Sequence, residues 1–162
     1  MRHASDWPAD DIETLLNEYG NLLFRLCLIL LKNESDAEDV IQETYMKYFQ
    51  KSPEFKNKEH QKAWLIRVAT NKCRDILRYR ARHPEVMYED ILKTASDSSD
   101  TGILEALTAL PEKYRLVLTL YYIEDYPIAD IAKIIRKSSS AVKMRLQKGR
   151  KLLGEIYRKE YL

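Results

Sequence analysis

Between Asp10 and Lys32 the apolar side chains Leu15, Leu16, Tyr19, Leu22, Leu23, Leu26 and Leu30 recur at steps of one, three and four. That spacing lines one face of a helix. The same period returns in AEDVIQETYMKYFQK, where Val40, Ile41, Tyr45, Tyr48 and Phe49 form a stripe. It returns again in QKAWLIRVATNKCRDILRYRAR. The chain has only 4 Gly and 5 Pro among 162 residues, which favours helices over turn-rich sheet. VLTLYY alternates poorly and follows a Pro-Glu helix opening, and no run reads as a strand bounded by turns. The pattern predicts an all-α protein.

Helix boundaries carry their own signals. NESD (Asn33 to Asp36) is a turn, with Ser35 or Asp36 as the expected N-cap and Glu38 completing a capping box with Ser35. Ser52-Pro53 ends the second helix, and SPEFKNKEH is a polar loop. From His83 to Gly102 the periodicity weakens and the run closes on a Ser/Asp cluster. This segment is read as a flexible linker with a short helical turn at Tyr88 to Lys93. As coil it spans about 25 Å root-mean-square. Two small helical domains, residues 1–83 and 104–162, are therefore expected on either side of a linker at 84–103. In the second, Ile103 to Ala109 is one helix, PEKYRLVLTLYYIED another and IADIAKII a third, and a long final helix follows the serines.

Composition narrows the classes of function. The N-terminal MRHASDWPADD lacks the apolar core of a signal peptide, and LCLILL is too short to cross a bilayer. The expectation is a cytoplasmic chain with no membrane insertion. Cys27 and Cys73 sit inside apolar helix patterns, as buried reduced thiols do. Three scattered histidines (His3, His60, His83) and no paired cysteine spacing give no metal site, and no cofactor is expected. No nucleophile–base pair or phosphate loop argues for an enzyme.

The net charge is +2, but charge is unevenly placed. Ile128, Ile131, Ala132 and Ile135 give the eight-residue helix an apolar face, and a serine turn leads into the next. That spacing is a helix-turn-helix. On the final helix Val142, Leu146, Gly149, Leu153 and Ile156 share one face, while Ser140, Met144, Gln147, Lys148 and Lys151 share the other, flanked by Lys143, Arg145 and Arg150. From Arg136 to Lys151 there are seven basic side chains and no acid. Such a helix can enter a DNA major groove, with Gln147 a candidate for adenine and Met144 for a thymine methyl. A solvated charged face is the plainer alternative.

The helix Gln61 to Arg82 repeats the basic theme, with Arg67, Asn71, Arg74 and Arg78 on one face. Trp64 and Tyr79 are candidates to stack on exposed bases, although Trp64 also fits a core position. The helix before it is acidic. Asp36, Glu38, Asp39, Gln42 and Glu43 are expected to be exposed, with Asp39, Gln42 and Glu43 together on one face. That face is either merely solvated or a docking surface for a basic protein partner.

These residues resemble a family. DAEDVIQETYMKYF resembles the polymerase-binding segment of sigma-70 family factors, which commonly reads AED-apolar-apolar-QE-x-F/Y. KAWLIRVATNKCRDILRYRAR is similar to the W-L-x-x-I-A-x-N-x-x-x-D-x-x-R segment that follows, at Trp64, Leu65, Val68, Ala69, Asn71, Asp75 and Arg78. LTALPEKYRLVLTLYYIEDYPIADIAKII resembles the L-P-x-x-x-R opening and first helix-turn-helix helix of the C-terminal domain. The layout is similar to the extracytoplasmic-function (ECF) group. The resemblance implies an alternative sigma factor that binds bacterial core RNA polymerase and promoter DNA and performs no bond-making chemistry. It implies an anti-sigma protein as a further partner. By resemblance, Asp39, Gln42 and Glu43 dock on the polymerase clamp helices. The loop Lys56 to His60, including Asn57 and Lys58, and the helix carrying Trp64, Arg67, Asn71, Arg74 and Arg78 melt and read the −10 element. Ser139, Ser140, Lys143, Met144, Arg145, Gln147, Lys148 and Lys151 read the −35 element. A stand-alone helix-turn-helix regulator is the alternative, but it needs dimer symmetry to span half-sites, and no added dimerisation helix is visible. The sequence departs from the family's L-G-I-S-x-G-T-V turn: Arg136 stands at the glycine, Lys137 at the apolar plug, and Asp130 replaces a glutamate. A side chain at that glycine position costs about 1 kcal/mol.

Overall fold

The computed structural model describes residues 9–51, 54–84 and 101–161, all of them in helices or the short connections between helices. Contacts divide the chain into two compact units, residues 1–86 and 87–162. The expected helical turn at Tyr88 to Lys93 lies outside the described residues.

In the first unit, α1 (Ala9–Leu31), α2 (Glu34–Lys51) and α3 (Lys58–Arg82) pack each against the other two. The core is the α1 stripe Leu15, Tyr19, Leu23, Leu26 and Leu30 against Val40, Tyr45 and Phe49 of α2 and Leu65, Ile66, Ala69 and Cys73 of α3. Leu16 is the exception to the expected stripe: it is 46% exposed, one step round the helix from Leu15. The segment Glu13–Leu31 is long and apolar enough to cross a membrane by length and composition. Its leucines 23, 26, 30 and 31 are buried in the bundle, as in the core helix of a globular domain. Tyr45 donates its hydroxyl to the Leu15 carbonyl at 3.1 Å. Burial, with Tyr19 alongside, pushes its phenol up to about 12, so it remains a donor at neutral pH.

The corner between α1 and α2 differs from expectation. Lys32 takes the left-handed conformation (φ 56°) and returns its N–H to Leu28 O at 2.8 Å, closing α1. The next residue is already the cap of α2: Asn33 Oδ1 accepts from Asp36 N at 2.8 Å. Neither Ser35 nor Asp36 caps the helix, because α2 already starts at Glu34, directly after Asn33, and both fall in its first turn. Asp36 instead faces Arg80 at the far end of α3, at 2.6 Å. The same guanidinium donates to Leu31 O at 2.5 Å. One half-buried arginine thus joins the end of α1, the start of α2 and the last turns of α3.

The second unit contains α4 (Thr101–Thr108), α5 (Glu112–Leu118), a π-helical segment (Thr119–Ile123), α6 (Ile128–Ile135) and α7 (Ser139–Tyr161), with α7 packed on α4, α5 and α6. α4 begins at Thr101 rather than Ile103, one turn ahead of its buried residues Ala106 and Leu107. The expected single helix PEKYRLVLTLYYIED widens at Thr119. There the Thr119 hydroxyl donates to Arg115 O at 2.6 Å, and Glu124 N bonds to Thr119 O, five residues back, at 3.1 Å. Threonine back-bonding disturbs the regular ladder. Arg115 itself is only 5% exposed and donates Nη1 to Thr108 O at 2.9 Å, satisfying a carbonyl at the end of α4. On α6, Ile131, Ala132 and Ile134 are buried, and Ile135 is only half-buried. The core face is therefore rotated slightly from the expected one.

Removing the Arg80 guanidinium leaves the Asp36 carboxylate and the Leu31 carbonyl without it. Arg80→Met is expected to destabilise the first unit by about 2 kcal/mol, measured by urea unfolding; an unchanged midpoint and slope contradict the clamp.

Candidate protein and nucleic-acid interfaces

On α2 the buried residues Ala37, Val40, Thr44 and Tyr45 turn the opposite side of the helix outward. Glu38, Asp39, Gln42 and Glu43 are exposed. Asp36, expected with them, is withdrawn by its bond to Arg80. Glu43 Oε2 lies 3.0 Å from Lys72 Nζ of α3, an exposed pair that contributes little to stability. Met46 is 56% exposed and stands four residues beyond Gln42 and three beyond Glu43. It adds an apolar contact to this face that the charge pattern alone did not single out.

The loop before α3 is held from inside by aromatic rings. Phe55 stacks on Tyr48 at 5.9 Å and meets the edges of His60 and Trp64 at 5.3 and 6.0 Å. Tyr48 is fixed in turn, because Gln61 donates to its hydroxyl at 2.9 Å while accepting from Tyr19 at 3.0 Å. This arrangement holds Lys56, Asn57 and Lys58 exposed at the rim. Asn57 has a structural task, since its Oδ1 caps α3 through His60 N at 2.8 Å. Lys58 reaches Glu18 of α1 at 3.2 Å. Trp64 is half-buried within the ring cluster and also 5.9 Å from Tyr48. Along α3, Asn71 and Arg78 are exposed, whereas Arg67 and Arg74 are half-buried. Arg78 is 3.7 Å from Asp75. Tyr79 stacks on His83 at 4.0 Å.

In the second unit, the turn before α7 has the form that its sequence makes costly. Arg136 adopts φ 56°, ψ 48°, the left-handed conformation usually given to glycine. The N–H groups of Arg136 and Lys137 both reach Ala132 O, the latter at 3.0 Å. Lys137 is exposed, so no apolar plug accompanies this cap. Ser138 is the serine that caps α7, accepting from Ala141 N at 3.1 Å. Ser139 and Ser140 are left exposed in the first turn. Val142, Leu146 and Gly149 bury the inner face. Ser140, Lys143, Met144, Gln147, Lys148 and Lys151 are exposed, Met144 at 70%, and Arg145 is half-buried. An open groove of about 930 Å³ runs along this face. Its second wall is Lys113 and Tyr114 of α5, which the sequence reading did not include. Arg150 lies outside the groove and donates to Tyr122 at 3.1 Å.

Comparison with known proteins identifies the family. The family profile for sigma-70 region 2 matches residues 15–83, and that for sigma-70 region 4 matches residues 101–153. The chain belongs to the sigma-70 family. It is 29% identical over 154 residues to the RNA polymerase sigma factor SigV of Bacillus subtilis, covering 92% of each. It is 27% identical to the ECF RNA polymerase sigma factor SigW of the same organism, over 98% of this chain and 95% of that one. SigW and the SigM factors of Bacillus subtilis and Mycobacterium tuberculosis, all named ECF sigma factors, place it in the ECF group. Among solved structures, the sigma factor RpoE of Bartonella quintana, in complex with the anti-sigma factor NepR, has the same fold. Its TM-score is 0.75 at 23% identity, over 94% of this chain and 99% of that one. CnrH, in complex with the cytosolic domain of CnrY, gives 0.73 at 23%, over 97% and 94%.

Relief of the left-handed strain is measurable. Arg136→Gly is expected to stabilise the second unit by about 0.5 kcal/mol, the left-handed penalty less the entropy of a more flexible unfolded chain. Thermal unfolding reads it; a lower midpoint contradicts the assignment of strain to Arg136.

Proposed function

We propose that the chain is an ECF sigma factor that binds bacterial core RNA polymerase and directs it to promoters. The observation that carries this reading is the division of charge within the first unit. The exposed Asp39, Gln42 and Glu43 on α2 suit a basic protein surface, and the carboxylates of Glu38, Asp39 and Glu43 repel phosphates. α3 and the loop before it present Lys56, Asn57, Lys58, Asn71 and Arg78 beside the half-buried Trp64, Arg67 and Arg74. A domain that bound only DNA would have no use for the acidic face.

In this reading residues 1–83 dock on polymerase through Asp39, Gln42 and Glu43 and hold the melted −10 element with the loop and α3. Met46 adds apolar contact to the docking face. Residues 104–162 bind the −35 duplex, with Ser139, Ser140, Lys143, Arg145, Lys148 and Lys151 on phosphates and Met144 and Gln147 towards base edges. Residues 84–103 join the two. The protein works in the cytoplasm, where its polymerase is. RpoE was solved with the anti-sigma factor NepR, which supports an anti-sigma protein as a regulator of this chain as well. The stand-alone regulator is disfavoured by the acidic face, for which it offers no role.

Gel filtration of the chain mixed with core polymerase tests the reading, and absence of a complex would overturn it. Gln42→Ala combined with Glu43→Ala is expected to weaken the complex about tenfold, or ~1.4 kcal/mol, while leaving the helical circular dichroism unchanged. Both side chains are exposed, so the fold does not need them. Unchanged affinity assigns docking elsewhere.

A further inference from the structure

The groove beside α7 is formed by a close approach of two helices. Gly149 lies at that approach and leaves it room. A Cβ added there would lie 3.1 Å from Leu118 Cδ1 and 3.3 Å from Tyr114 Cβ. With no side chain at Gly149, α5 sits directly against α7, and Tyr114 packs beside the next residue towards the N-terminus, Lys148. Tyr114 is 6% exposed, so its ring is a fixed spacer. Two ammonium groups from different helices converge on that ring: Lys113 Nζ at 5.0 Å and Lys148 Nζ at 5.8 Å from its centroid. Among the described residues no carboxylate forms an ion pair with either lysine. Burial pushes the Tyr114 phenol up. Hydrogen bonds and charge from Lys148 and Lys113 outweigh it and leave the phenol below its ordinary value.

Glu155 is the single carboxylate in the groove's lining, against Lys113, Arg145, Lys148 and Lys151, so positive charge there is in excess, and an anion between the two ammonium groups lowers their mutual repulsion. α7 is the helix that presents the exposed basic face. A helix with its side chains is about 10–12 Å across and a major groove about 12 Å wide, so groups flanking such a helix meet the phosphate walls rather than the bases. Lys113, on the neighbouring α5, is such a flanking group, and Lys148 is the α7 residue beside it.

We propose that Lys113, which lies outside the helix-turn-helix, forms with Lys148 a two-ammonium clamp on a DNA phosphate at the edge of the major groove. Tyr114 sets the spacing of the two ammonium groups. The clamp rests on the promoter-binding reading and adds to it a contact from α5. It is sequence-independent, so it strengthens binding to any duplex and fixes how far α7 can slide or tilt in the groove.

The test is the salt dependence of binding of the full chain to a short fluorescent duplex, read by anisotropy. Lys113→Gln is expected to weaken binding several-fold at low salt and to lower the slope of log K against log[salt] by about one. Lys159→Gln removes an equal charge from the exposed last turn of α7, outside the groove, and is expected to leave the slope unchanged. A wild-type slope in Lys113→Gln overturns the clamp while leaving promoter binding standing. An equal fall in both variants also overturns it, because the effect is then one of net charge. A wild-type chain that binds no duplex overturns the clamp and the promoter reading together.

Discussion

A guanidinium reaching the carbonyl end of a neighbouring helix closes each of the two units. Arg80 reaches Leu31 O and Asp36 in the first, and Arg115 reaches Thr108 O in the second. The physical need is the same in both. A helix ends with carbonyls that its own backbone cannot satisfy, and these small bundles bring those ends against another helix. Arginine supplies several donors in one plane and a positive charge that suits the negative end of the helix dipole. Leucine packing brings the helices together, but it is non-directional. The arginines fix which helix end meets which, and so which faces are left outside.

What remains outside is sorted by charge. In the first unit the Arg80 bond withdraws Asp36 from the acidic row, leaving Glu38, Asp39, Gln42 and Glu43 exposed with Met46 beyond them. α3 then presents its basic residues from the same bundle. The aromatic cluster of Tyr48, Phe55, His60 and Trp64 gives the loop before α3 a rigid base. The second unit has a simpler division. Val142, Leu146 and Gly149 face inward, and the opposite side of α7 is free and basic. Gly149 and Arg136 contribute here in opposite ways. One removes a side chain so that α5 can close on α7. The other holds a strained conformation so that α6 and α7 meet at the required turn.

Much of this was legible from residue spacing. The steps of three and four gave α1 and α3 and both faces of α7. The serine turn marked the start of α7, and the resemblance to the family's turn, not spacing, implied a left-handed backbone at Arg136. The misreadings share a cause: each depended on a partner distant in sequence or on a competing local bond. Ser35 and Glu38 fit a capping pattern, but the Asn33 side chain bonds Asp36 N and starts α2 at Glu34, ahead of them. Asp36 looked solvent-facing because Arg80 lies 44 positions away. The widening at Thr119 follows from a hydroxyl bond that no apolar period encodes. Lys113 joins the groove because α5 packs against α7, a contact between helices that no local pattern encodes. Trp64, for which two roles were open, sits half inside the ring cluster, a position that supports the loop and still leaves an edge available.

As a sigma factor, this chain gives a polymerase a promoter preference that the polymerase lacks alone. Run-off transcription on fragmented genomic DNA, with core polymerase in the presence and absence of the chain, measures it directly. The expected result is a small set of new start sites, each preceded at fixed spacing by two shared sequence elements. A transcript pattern identical with and without the chain, or new starts that share no upstream element, would contradict it.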